Sequence, residues 1–153
     1  MASRASIAKH PIHPMLVAFP IGLWVFSLTG DIIYITGWGG VVWKDVAFYT
    51  MAGGIVGALV AAVPGFIDLL SLSGKRLKIG IAHMVINLSI VAIFAVNLWI
   101  RTKNIPNATL PVALSVIGVI LLIVSGWLGG ELIYVYGVAV EPQYDSGTEG
   151  RTK

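Results

Sequence analysis

Four apolar runs, roughly 15–36, 47–70, 79–100 and 110–136, fill most of this chain and carry very little charge. A helix needs about 20 apolar residues to cross a bilayer, and inside hydrocarbon only a helix or a closed barrel satisfies its own backbone hydrogen bonds. Each run is long enough. The fold class that follows is all-α, an integral membrane protein. Composition agrees: 57% of the 153 residues are hydrophobic and 11% charged, with a mean hydropathy of +0.89. An ordinary soluble domain is not built this way. The chain has no cysteine, which excludes disulfides, thiolate metal sites and cysteine-bound iron–sulfur clusters.

The gaps between runs are short. Gly37, Gly39 and Gly40 break the first, Ser73-Gly74-Lys75-Arg76 fills the second, and Asn104, Pro106, Asn107 and Pro111 punctuate the third. Short connections make sequential helices antiparallel neighbours, giving an up-down four-helix bundle over residues 1–140. The polar remainder, 141–153, reads as a disordered cytoplasmic tail.

Lysine and arginine set the orientation. Arg4, Lys9, Lys75, Arg76, Lys78, Arg151 and Lys153 flank one side, and Lys44, Arg101 and Lys103 the other. By the positive-inside rule both termini are cytoplasmic, with Trp38 and Trp43 in the aromatic belt of the far interface. The net charge of +3 therefore reads as topology rather than as a nucleic-acid footprint. The first run follows a basic stretch, as in a signal peptide, but it is too long for an h-region and lacks a small-residue cleavage site, so it is expected to be retained.

A faint internal repeat runs through the chain. Each half opens with a basic flank and an early histidine (Lys9…His13, Lys78…His83). Each closes its second helix with a glycine-preceded acid (Gly65-Phe66-Ile67-Asp68, Gly129-Gly130-Glu131). Both halves start on the same side, so the symmetry axis would lie along the membrane normal.

His13, Asp68, His83 and Glu131 thus fall in four separate apolar segments at one membrane face. Ionisable groups in hydrocarbon are costly and usually face a bundle interior. His83 lies one turn into the third run, and Asn87 a turn further on the same face. In His10-Pro11-Ile12-His13-Pro14, Pro14 suits the first helical position and leaves His13 as the N-cap, with His10 just outside beside Lys9. The plainer alternatives are a histidine bonded between helices without any ligand, and histidines solvated at the headgroups. Asp68 and Glu131 close the even-numbered helices, where the dipole disfavours an acid; the plainer reading there is interfacial solvation, near Lys75 and Arg76 for Asp68. Asp31 is taken as a separate interfacial residue. Gly53, Gly57, Ala61 and Gly65, with Ser125/Gly129 and Gly126/Gly130, form small-residue stripes that serve close helix packing first. Pro20 and Pro64 are expected to kink their helices.

The stretches His10-Pro11-Ile12-His13-Pro14-Met15-Leu16-Val17 with Pro20-Ile21-Gly22, Pro64-Gly65-Phe66-Ile67-Asp68, Ala82-His83 and Gly126-Trp127-Leu128-Gly129-Gly130-Glu131-Leu132-Ile133-Tyr134 resemble a bacterial membrane family known as domain of unknown function number 2231. The resemblance spans nearly all four helices. It implies a bacterial inner-membrane location. Relatives joined to Rieske-type modules, and a fold similar to four-helix b-type cytochromes, imply electron transfer. Relatives with a further histidine in the stretch that is Tyr134-Val135-Tyr136-Gly137 here imply a second haem, for which this chain has no matching ligand.

Two classes of function follow. In the first, His13 and His83, on mutually parallel odd-numbered helices, are axial ligands of one haem b. His10 and Asn87 would assist, Lys9, Lys75, Arg76 and Lys78 would pair with propionates, and Asp68 or Glu131 would orient a ligand histidine. Three histidines allow one bis-histidine haem, not two. In the second, His13, His83, Asp68 and Glu131 hold a zinc, iron or manganese ion, one ligand per helix. A third reading is a cofactor-free integral subunit of a larger complex. No nucleophile–base pair, phosphate loop or dinucleotide fingerprint points to a stand-alone enzyme. The expected partners are the bilayer, a redox protein or larger membrane complex, and a second copy of the chain; nucleic acid is not among them.

Overall fold

The computed structural model describes residues 3–103 and 109–140; the expected tail and the Asn104–Asn107 part of the third gap lie outside them. A two-stranded hairpin opens the described chain, β1 (Ser6–Ile7) and β2 (His10–Pro11). Both residues of its turn take positive φ, Ala8 at 49° and Lys9 at 66°, the backbone of a type I′ turn. The hairpin runs into α1 (Ile12–Leu16), which continues after a break as α2 (Ala18–Ile35). Pro20 accounts for the break, because its ring has no N–H and crowds the carbonyl four residues back, that of Leu16. Three further helices follow: α3 (Val42–Leu69), α4 (Gly74–Thr102) and α5 (Thr109–Gly130). A π-helical turn, Glu131–Val135, extends the last. The sequence locates all four spans. The first starts earlier than expected, with Pro11 as N-cap and His13 and Pro14 already inside α1.

α2 packs against α3 and α5, and α4 against the same two, so α2 and α4 stand diagonally across the bundle. The shell is apolar and the axis is partly polar. Phe19, Val25, Ile32, Val56, Val63, Leu88, Ile120 and Ile123 are exposed, whereas Ser27, Asp31, Asn97, Ser115 and Ser125 are buried. That is the arrangement expected where lipid replaces water outside and helices associate through small residues and interhelical hydrogen bonds. The apolar core is small, with Trp24, Met51, Ile90, Phe94 and Leu122 at its centre. Trp24 and Phe94 stack across the diagonal, centroids 4.5 Å apart and planes 9° from parallel. Each ring lies on a glycine of the neighbouring helix: a Cβ at Gly54 would come 2.5 Å from the Trp24 indole nitrogen, and one at Gly118 2.6 Å from the Phe94 ring.

The internal repeat is written into this packing. Asp31 and Arg101 are 70 residues apart, and the same offset links His13 with His83, Trp24 with Phe94 and Ser27 with Asn97. α3 and α5 share an offset of their own, linking Ala47 with Pro111, Gly54 with Gly118, Ala61 with Ser125 and Gly65 with Gly129. Contacts repeat accordingly. Ser27 donates to the Ala47 carbonyl, 20 residues on, and Asn97 to that of Pro111, 14 on. His13 bonds the Ala61 carbonyl 48 residues on, and His83 that of Ser125, 42 on. The reach shortens equally in both pairs because equivalent positions of α3 and α5 lie closer in sequence than those of α2 and α4.

Candidate functional site

Three pairs of equivalent residues meet across the axis, and the first is the histidine pair. His13 comes from the first turn of α1 and His83 from the third turn of α4. Their ring centroids are 6.3 Å apart with planes perpendicular. Each imidazole is held by the helix beside its own: His13 Nδ1 lies 2.8 Å from the Ala61 carbonyl of α3, and His83 Nδ1 lies 3.0 Å from the Ser125 carbonyl of α5. A carbonyl oxygen only accepts, so these bonds call for a proton on Nδ1 and leave the lone pair on Nε2, the form of imidazole that ligates a metal. Gly65 and Gly129 let the backbones approach. A Cβ at Gly65 would stand 2.7 Å from His13 Nδ1, and one at Gly129 3.3 Å from His83 Cε1. The small stripes of the sequence therefore have a local purpose here, since their Ala61, Gly65, Ser125 and Gly129 members form the walls against which the two rings lie.

The surroundings of the two rings are not identical. Asn87, a turn beyond His83, donates from Nδ2 to the His83 carbonyl at 2.8 Å and to the Ser125 hydroxyl at 2.7 Å. That hydroxyl also lies 3.2 Å from His83 Nδ1. The equivalent positions in the first half are Val17 and Ala61, with no side-chain polar atom.

The two acids are not symmetry mates. The offset that pairs Ala61 with Ser125 matches Asp68 with the buried Leu132, and Glu131 with Ile67. Asp68 anchors the N-terminal strap. Its carboxylate accepts the Ser3 hydroxyl at 2.8 Å, the Arg4 N–H at 2.9 Å and the Ala5 N–H at 3.1 Å. The Ala5 carbonyl in turn accepts the Ile12 N–H at 2.9 Å, one residue before His13. Asp68 therefore has a structural task that its place at a helix C-terminus does not reveal. Glu131 opens the π-helical turn, which ends beside Tyr136, and the Lys75 ammonium lies 5.7 Å from the centre of the Tyr136 ring. His10 is exposed on β2, with Nδ1 2.8 Å from the Ala8 carbonyl of its own turn. So the structure brings His13, His83 and Asn87 together, ties Asp68 to the strap, and leaves His10 outside. Among the described residues no three His, Asp or Glu side chains group closely enough to hold a metal ion.

Sequence reading missed the pair at the opposite end of the axis. Asp31 is buried rather than interfacial, and Arg101 lies inside the bundle rather than on its flank. The guanidinium binds both carboxylate oxygens, at 2.7 and 2.6 Å, and also contacts Asn97 Oδ1 and the Ser115 hydroxyl. Ser115 donates to Asp31 at 3.0 Å. Extending the repeat from His13/His83 along α2 and α4 would have matched these two charges.

A membrane bundle with one histidine from each of two diagonal helices, meeting at one end of its axis, is the class of protein these features define. The chain belongs to the family described as "Predicted membrane protein (DUF2231)", which matches residues 9–142. Neither the curated proteins nor the solved structures give a match.

Proposed function

We propose that this chain is an electron-transfer protein of the bacterial inner membrane that holds one haem b between His13 and His83. The observation that carries this reading is the histidine pair on diagonal helices, each ring oriented through Nδ1 by a carbonyl of the adjacent helix. Such a hydrogen bond fixes the tautomer and ring plane of a metal-ligating histidine. His13 and His83, their ring centroids 6.3 Å apart, would hold the haem through Nε2, the nitrogen that the carbonyl bonds leave free.

The donor set favours haem over a bare ion. Zinc, iron or manganese held by protein alone needs about four ligands, and the Asp68 oxygens are already taken by Ser3, Arg4 and Ala5. A porphyrin brings four nitrogens of its own and asks the protein for two imidazoles. When bound, haem supplies the one-electron chemistry. The protein orients the two imidazoles, excludes bulk water through its apolar shell, and offers Lys9, Lys75, Arg76 and Lys78 to the propionates at the end of the bundle assigned to the cytoplasm.

An optical spectrum and elemental analysis of the purified protein test this reading. A Soret band with stoichiometric iron is expected. His83→Ala and His13→Ala should each abolish it, because no other imidazole lies at the axis and His10 bonds its own turn. Glu131→Gln should keep haem and shift its potential. Stoichiometric zinc, iron or manganese without a Soret band would move the assignment to a metal site with Glu131 as a ligand. Absence of both would leave a cofactor-free subunit of a larger complex.

A further inference from the structure

The two histidines occupy equivalent places, yet only one of them has a second hydrogen-bonding option. His13 Nδ1 meets the Ala61 carbonyl, an acceptor only, so one neutral tautomer satisfies it. His83 Nδ1 lies between two atoms of Ser125, the carbonyl oxygen at 3.0 Å and the hydroxyl at 3.2 Å. The hydroxyl oxygen accepts from Asn87 Nδ2, and its own proton is available to an Nδ1 that carries none. Asn87 cannot reverse this arrangement, because its other amide hydrogen is held by the His83 carbonyl.

We infer that Ser125 and Asn87 make His83 the switchable member of the pair, its Nδ1 alternating between donor to the Ser125 carbonyl and acceptor from the Ser125 hydroxyl. In the first state Nε2 carries a lone pair. In the second it carries the proton. The exchange conserves charge: one proton leaves Nδ1 and one is taken up at Nε2, both exchanged with solvent at the near end of the bundle. Ser125 and Asn87 are thus positioning residues, and His13 is the fixed partner.

The tautomer exchange needs no bound group, whereas its effect on coordination rests on the haem reading above. Nε2 bearing a proton cannot ligate, and apparent affinity falls by the fraction of competent state. For two equally populated tautomers, removing the second would strengthen coordination about twofold.

The test uses the full chain with ¹⁵N-labelled histidine, expressed under haem and metal limitation. It is read by NMR at about pH 8.5, well above the ordinary imidazole pKa of about 6.5. His13 should show a protonated Nδ1 and a bare Nε2, and His83 should show shifts averaged between the two tautomers. Ser125→Ala, and the double variant Asn87→Val/Ser125→Ala that gives His83 the surroundings of His13, should move His83 to the His13 pattern. Ser125→Thr, which keeps the hydroxyl, should retain averaging. A wild-type His83 already fixed in the Nδ1–H form, or averaging that survives Ser125→Ala, overturns the inference. Because the readout is taken without haem, a protein that never binds haem would sink the functional reading and leave this result intact.

Discussion

Asp31 and Arg101, a bidentate ion pair buried in the membrane bundle, are the same position in the two halves of one repeat. A residue and its symmetry mate thus carry opposite charge and bind each other across the axis. Removing one partner of a buried pair strands the other, at a cost of about 3–5 kcal/mol. Arg101→Met or Asp31→Leu should therefore lower thermal stability sharply. The exchanged variant, Asp31→Arg with Arg101→Asp, amounts to a half-turn of the pair about the axis and should recover most of the loss. A melt of the exchanged protein in detergent no better than either single variant would show that Asn97 and Ser115 fix the direction of the pair.

Asp68 makes a second prediction. Hydrogen bonds to a charged group are worth about 1.5–3 kcal/mol each, and Asp68→Asn weakens all those to Ser3, Arg4 and Ala5 at once. The strap should open locally while the helices stay formed. Hydrogen exchange at the Arg4 and Ala5 amides should accelerate by at least tenfold. Unchanged protection there would mean that the hairpin holds itself in place.

The glycines beside the imidazoles should differ in sensitivity. A methyl group at Gly65 would overlap His13 at 2.7 Å, whereas one at Gly129 would press on His83 at 3.3 Å. Overpacking costs about 1–3 kcal/mol. Gly65→Ala should fall in that range and displace the His13 ring; Gly129→Ala should cost less. Thermal melts, with cofactor content measured alongside, check the order, and equal losses would contradict it.

Orientation is open to direct labelling. Lys9 and Lys103 are exposed at opposite ends of the bundle. Lys103→Cys should react with an impermeant maleimide on intact cells, and Lys9→Cys only after permeabilisation. The reverse pattern would place the histidine end outside.

Much of this fold was legible because span length and hydropathy depend on composition alone. The four helices and the places of His13 and His83 on separate segments needed nothing more. Helix starts were less legible: α3 and α4 begin at Val42 and Gly74, with charged residues in their first turns, where an apolar run has not yet begun. The acids misled for a different reason. A carboxylate late in a helix looks functionally unexplained until its partners are known, and those of Asp68 lie more than 60 residues away at Ser3, Arg4 and Ala5. Arg101 was counted as a topology signal because a charge near the end of a span usually snorkels outward; Asp31 turns it inward. Ser125 looked like one small residue in a packing stripe, and only its distance to His83 shows a hydroxyl with a second role.

The order in which these contacts become available sets a timetable for biogenesis. His13 emerges early from the ribosome but has no partner until Ala61 and Asp68 have been made. His83 waits in the same way for Ser125, on the last helix. A chain that has not yet reached Ser125 therefore lacks the completed histidine pair. Any group held between the two rings has to be acquired after the fourth helix is in the bilayer, which places loading downstream of insertion.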